Sequence, residues 1–165
     1  MTPSGDSAPT RLADQLERAF RGGAWHGPAV MELLAGLDAT AAQWRPGPPA
    51  HAIAETVGHL AYWLEDARRQ IVGVPRLPQS PGADWGPARV DTEAAWQALC
   101  SALEEAHCGL REAVLRLDEG RLDEARPGSD TTLRGLVLGI LQHNAYHAGQ
   151  IALVRKLAEA SGGRR

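Results

Sequence analysis

The stretch Leu133-Arg134-Gly135-Leu136-Val137-Leu138-Gly139-Ile140-Leu141-Gln142-His143-Asn144-Ala145-Tyr146-His147-Ala148-Gly149-Gln150-Ile151-Ala152-Leu153-Val154 decides how the rest of the chain is read. Leu133, Leu136, Ile140, His143, His147, Ile151 and Val154 follow one another at steps of three and four residues, the period of a single helix face. Two histidines therefore stand in a stripe otherwise made of aliphatic residues. Between Gly135 and Val154 there is no charge, a length that could span a membrane. Gln142, His143, Asn144, His147 and Gln150 make it a buried or site-lining helix instead.

Working outward, the remaining chain also reads as helical. No alternating run of Val, Ile, Thr or aromatic residues is long enough for a strand, while Ala and Leu dominate. A first helix is predicted from Ser7 to Phe20, closed by Gly22-Gly23. The break Trp25-His26-Gly27-Pro28 follows, with Pro28 at the first position of the next helical piece. Thr40 and Gln43 have capping-box spacing for a short turn, and Trp44 to Pro49 forms a rigid linker. A second long helix runs from about His51 to Val72 on the stripe Ile53, Val57, Leu60, Leu64, Ala67 and Ile71.

Residues 73–90, with Pro75, Pro78, Pro81 and Pro87, suit an irregular crossing loop whose Trp85 covers one end of the bundle. A third helix opens with Asp91 as its cap, carries Trp96, Leu99, Leu103, Leu110 and Val114, and ends near Gly120. Ser129, Asp130 and Thr131 are alternative caps for the fourth, which extends to about Ala160. The expected fold is thus all-α, a four-helix bundle with its first arm broken near residues 22–28. At 165 residues it is read as one domain, 1–165, with tails at 1–6 and 161–165.

Composition narrows the function classes. With 44% hydrophobic and 22% charged residues, neither general disorder nor a membrane class is favoured. A net charge of −3 provides no electrostatic footprint for nucleic acid, and Arg164-Arg165 reads as a solvated tail. Residues 1–9 show no signal-peptide pattern, so a cytoplasmic location is the default expectation. Cys100 and Cys108 lie about 12 Å apart along one helix, too far for a disulfide, and read as small core fillers.

Histidines carry the chemistry. His143 and His147, at i and i+4, lie one turn apart on the inward face, the spacing at which two imidazoles hold one metal ion. Two buried imidazoles need partners for four ring nitrogens, and a metal satisfies one on each. The competing reading is a pair of hydrogen-bonded core histidines. His59, beside Thr56 and Trp63 at the edge of the second helix's stripe, is a further candidate facing a neighbouring helix. His107 reads as a core or boundary residue, His51 as exposed, and His26 as a substrate or supporting contact at the bundle's open end.

Gly58-His59-Leu60-Ala61-Tyr62-Trp63, together with Gln142-His143-Asn144-Ala145-Tyr146-His147-Ala148-Gly149-Gln150-Ile151, resembles the DinB/YfiT-like superfamily. Trp25-His26-Gly27-Pro28, Gln43-Trp44-Arg45-Pro46 and Asp84-Trp85 extend the likeness. The resemblance implies a four-helix bundle whose one divalent metal is held by His59, His143 and His147, with zinc or nickel favoured and iron or manganese as alternatives. Asn144 stands where Asp is common, about 100° of helical rotation from His143 and turned away from the site.

Three histidines without a carboxylate leave one coordination position open, as in catalytic zinc sites, where water or a thiol becomes the nucleophile. The resemblance implies either a hydrolase or an enzyme using a low-molecular-weight thiol, such as bacillithiol or mycothiol, as cosubstrate. It also implies a homodimer acting on a small molecule. Arg45, Arg68 and Arg69 are candidates for an electropositive mouth, and Glu55, Glu65 and Asp66 for a general base. Trp63, Tyr62, Tyr146 and Gln150 are candidate supporting or substrate contacts. A non-enzymatic metal-binding stress protein and a metal-free helical interaction module remain the alternatives.

Overall fold

The computed structural model describes residues 7–85, 89–126 and 128–162. The expected tail at 1–6 and, of the expected tail at 161–165, residues 163–165 with Arg164 and Arg165 lie outside the described residues, as does the loop residue Pro87. Among the described residues six α-helices follow in chain order: α1 (Ala8–Arg21), α2 (Val30–Leu34), α3 (Ala39–Gln43), α4 (Ile53–Val72), α5 (Glu93–Leu115) and α6 (Leu133–Ala160). Short 3-10 turns occupy Ala83–Trp85 and Glu119–Asp123, and there is no strand among the described residues. None of these helices is long and apolar enough to cross a membrane.

The four long helices form a ring in which α1 packs on α5, α5 on α4, α4 on α6, and α6 on α1. Leu16 and Phe20 of α1, Leu60 and Leu64 of α4, Leu103 and Leu110 of α5, and Ile140 and Ile151 of α6 fill its centre. Burial of such side chains contributes about 1.5–3 kcal/mol each, which outweighs the weak individual propensities. The expected break after α1 is present, and the short helices α2 and α3 complete this part of the chain.

Helix starts depart from the sequence reading by a residue or two, through competing caps at α3, α5 and α6 and through a glutamate reaching back to the first N–H at α2 and α4. Asp38, not Thr40, caps α3 by accepting the Ala41 N–H at 2.8 Å. Pro28 lies ahead of α2, whose boundary is Ala29, its N–H bound by the Glu32 carboxylate at 2.8 Å. α4 begins at Ile53 rather than His51, because Glu55 reaches back to the Ala52 N–H. Thr92 caps α5 while Asp91 is drawn to Arg89. Thr132 caps α6 through the Gly135 N–H, since Ser129 is engaged by Arg126 and by the Thr131 N–H.

α5 stops at Leu115, ahead of the expected Gly120, which lies within the following 3-10 turn. Cys100, half-buried, packs against the core as expected, whereas Cys108 is exposed and is not the core filler expected of it; neither thiol is in a disulfide. On α6 the buried arc is centred on Val137, Asn144, Ala148 and Ile151, leaving Leu136, His143 and Val154 at its edge. His143 therefore faces a side opening of the bundle, while His147 stays within the buried arc. Leu138, Tyr146, Leu153 and Leu157 are exposed along the outer face of the same helix.

Candidate metal centre

His59 reaches the site from α4, His143 and His147 from α6. Their Nε2 atoms converge: His59 to His143 is 3.0 Å, and His143 to His147 is 3.1 Å. A tetrahedral ion with metal–nitrogen bonds of about 2.0–2.1 Å holds its ligand nitrogens about 3.3 Å apart. Two of the nitrogen separations lie close to that spacing, and the three ligand atoms all fall within 4.8 Å of one another, so the group could hold one ion.

Two of the rings are oriented from behind. The His59 Nδ1–H donates to the Asp84 carbonyl oxygen at 3.1 Å, with the Asp84 carboxylate 3.5 Å away. The His147 Nδ1–H donates to Gln150 Oε1 at 2.6 Å. Each bond places the proton on Nδ1 and leaves the Nε2 lone pair for a metal. His143 Nδ1 is buried without a partner.

Burial lowers the basicity of all three imidazoles. It pushes His143 down to about 4, reinforced by the neighbouring His147 and His59. His59 and His147 are lowered for the same reason, opposed respectively by Asp84 and Gln150. The site therefore presents neutral nitrogen donors at neutral pH. His107 is lowered by burial as well, despite its bond to Glu17.

These shifts set the pH dependence of the metal-free protein. The unfolded histidines, near 6.5, take up protons before the folded ones, so stability is full above that pH and falls as pH drops through the depressed folded values. Between pH 7 and 5, His143 alone should remove about 1 kcal/mol, after allowance for its half-exposed ring. Urea midpoints at the two pH values check this; an unchanged midpoint would contradict it.

Aromatic rings wall the site. Trp85 stacks on His59 at 3.9 Å and 15°, and its other neighbour His51 stacks on it at 3.7 Å. Trp63 meets His59 and His143 edge-on and donates its Nε1–H to Asp84 Oδ2 at 3.2 Å. The expectation that Trp85 covers the bundle's end thus becomes a ring stacked between His51 and His59, with His147 meeting it edge-on. Tyr146, 64% exposed, touches the His147 ring edge-on.

Other sequence candidates lie elsewhere. Tyr62 hydrogen-bonds the Pro78 carbonyl and Gln79, tying down the crossing loop. His26 is exposed and makes no hydrogen bond or ring contact among the described residues. Arg45 pairs with Glu55, and Arg68 and Arg69 pair with Glu65, so these arginines and carboxylates satisfy one another. Asp66 is buried among Arg76, Gln70 and the Leu77 N–H. His107, fully buried, stacks on Phe20 at 3.9 Å and bonds Glu17 at 2.9 Å, the structural role its apolar face suggested.

The carboxylate that does reach the site, Asp84, escaped the sequence reading except as part of a family likeness. The only local signal was an acidic residue beside Trp85 in a loop rich in Pro and Gly. A cavity of about 470 Å³ opens onto His59, His143 and Asp84, a volume that suits a small molecule.

An all-α bundle with three histidines converging from two helices is a protein capable of binding a metal. The chain belongs to the DinB superfamily, whose family model matches residues 24–151, a span that includes all three histidines. Comparison with curated proteins gives no match.

Proposed function

We propose that this protein is a metal-dependent enzyme acting on a small molecule, as a thiol S-transferase or a hydrolase. The observation that carries the reading is the convergence of three neutral Nε2 donors beside a cavity, with no carboxylate among the ligands. Zinc or nickel suits an all-imidazole donor set. When bound, the metal supplies Lewis acidity that makes water or a thiol nucleophilic near neutral pH.

The chain's own residues divide the remaining work. Asp84 holds the proton on His59 Nδ1 through its carbonyl, while Trp63 steadies its Oδ2. Its Oδ1 has no partner among the described residues and can accept a proton from a nucleophile in the cavity. Gln150 fixes His147, and the Trp85 ring shields one face of His59 from water.

The test is metal content by mass spectrometry, before and after addition of zinc, nickel, manganese or iron, followed by thiol conjugation and ester hydrolysis assays. One metal per chain with metal-dependent turnover is expected. A protein that takes up none of the four ions would refute the reading.

A second reading is favoured by the placement of the ligands on both α4 and α6, since an ion there braces two helices without any chemistry. In that case His147→Ala lowers the melting temperature of the metal-loaded protein, and no metal-dependent turnover is found. The homodimer implied by the family likeness would cover Leu138, Leu153 and Leu157, and light scattering should then return twice the chain mass.

A further inference from the structure

The cavity beside the histidines ends in a cation that the metal site does not use. Arg126 lines the wall near the start of α6, and His143 lies at the other end. Gly135 and His143 are two turns apart on α6, roughly 12 Å along its axis. Leu136, Gly139 and Ile140 line the wall between them.

A guanidinium carries five N–H donors. Arg126 spends three on neutral oxygens: Nη1 donates to Gln70 Oε1 at 2.7 Å, Nη2 to Ser129 Oγ at 3.0 Å, and Nε to the Thr131 carbonyl at 3.3 Å. It has no carboxylate partner among the described residues. Arg45, Arg68, Arg76, Arg134 and Arg155, by contrast, each sit on one. Two N–H groups remain, the number a carboxylate takes in a bidentate pair.

The group is also held in place in advance. Gln70 donates its amide N–H to the buried carboxylate of Asp66 at 2.9 Å, which forces its Oε1 toward Arg126. The bonds to Ser129 and Thr131 account for Arg126 as a clamp on the turn before α6. They do not account for a half-buried positive charge left without a counter-ion at a cavity wall, which costs solvation free energy. The N-terminal end of the 28-residue α6 adds a positive dipole nearby.

We propose that Arg126 is the anion anchor of the substrate site: the small molecules it takes carry a carboxylate at one end. An apolar chain crosses Leu136 and Ile140 over the open side of Gly139, and the reactive group at the far end reaches the histidines. This rests on the reading of the three-histidine centre as the place of chemistry. It adds the substrate class, an ω-functional carboxylic acid.

The probes are ω-mercapto acids of increasing chain length, their methyl esters, and octanoate. On zinc-loaded protein, calorimetry should show the acids binding about tenfold or more tighter than the esters, with an optimum at the chain length that spans the cavity. Arg126→Gln should erase the difference between acid and ester while zinc content stays at one per chain. Octanoate binding to the metal-free protein should be lost in the same variant. That arm needs no metal, so a failure of zinc uptake overturns the metal reading, while the octanoate result still decides the anchor.

Gly139→Leu is the second variant. A Cβ at Gly139 meets no atom within 4 Å, so the added side chain enters open space without forcing the backbone. It should block octanoate and the mercapto acids with the fold intact by circular dichroism, even if loss of Arg126 loosens the turn. Equal binding of acid and ester, or octanoate binding that survives both substitutions, would overturn the proposal.

Discussion

His143→Ala is expected to leave a folded bundle that no longer retains a stoichiometric metal ion. His143 Nε2 takes part in both close nitrogen contacts of the site, at 3.0 and 3.1 Å, so its loss leaves His59 and His147 without the ligand that joins them. A complete four-ligand zinc site is worth about 10–16 kcal/mol, so one imidazole accounts for roughly 3–4 kcal/mol, or several hundredfold in affinity. The bundle itself loses little, because His143 is half-buried and its Nδ1 bonds to nothing.

Two measurements check this. After dialysis, metal content should fall from one ion per chain to near zero. Added zinc at about a thousandfold above its dissociation constant should stabilise the wild type by about 4 kcal/mol, and the variant hardly at all. His107→Ala is the contrasting substitution: it removes a buried ring stacked on Phe20 and bonded to Glu17, and should lower stability without touching metal content. A His143→Ala protein that keeps its ion would show that the ion is held elsewhere.

Asp66→Ala should produce the largest loss of stability, about 3 kcal/mol or more, and weaken the metal site at a distance. The Asp66 side chain is 0% exposed and accepts from Arg76 at 2.6 Å, Gln70 at 2.9 Å and the Leu77 N–H at 3.0 Å. Truncation empties a buried position and takes the acceptor from the half-buried Gln70 amide, the Leu77 N–H and Arg76 together, although the exposed Arg76 keeps Gln79. Arg76 and Leu77 belong to the crossing loop that also carries Asp84 and Trp85 to His59.

Loosening that loop should cost about tenfold or more in metal affinity through the lost partner of His59. Urea denaturation and a zinc competition titration read the two effects separately. A stability loss within about 1 kcal/mol would mean that Tyr62 on Pro78 and Arg69 on Pro75 suffice to hold the loop.

The long helices were legible because their signal is local. Periodicity on α4, α5 and α6 marks the buried faces, and Gly73, a left-handed residue at φ +77°, closes α4. Caps were less legible: Asp38 against Thr40, or Thr132 against Ser129, is a competition settled by which neighbour draws each side chain away. The centre of the α6 stripe shifted toward Asn144 because the ring of helices, not the periodicity, sets which arc is covered.

By itself, then, the sequence determined an all-α bundle, a pair of histidines on one helix face, and a third whose role came from family likeness. These follow from the 3.6-residue period and from short motifs, which need no knowledge of the rest of the chain. Only the tertiary structure decided that Asp84 orients His59, that Trp85 lies across it, and that Arg126 rather than Arg45, Arg68 or Arg69 faces the cavity. Asp84 and Trp85 lie in an aperiodic loop and Arg126 in the turn before α6, far in sequence from the histidines they serve. Their positions depend on where buried Asp66 pins that loop and on what Gln70 holds in place, and neither leaves a repeat that could be read along the chain.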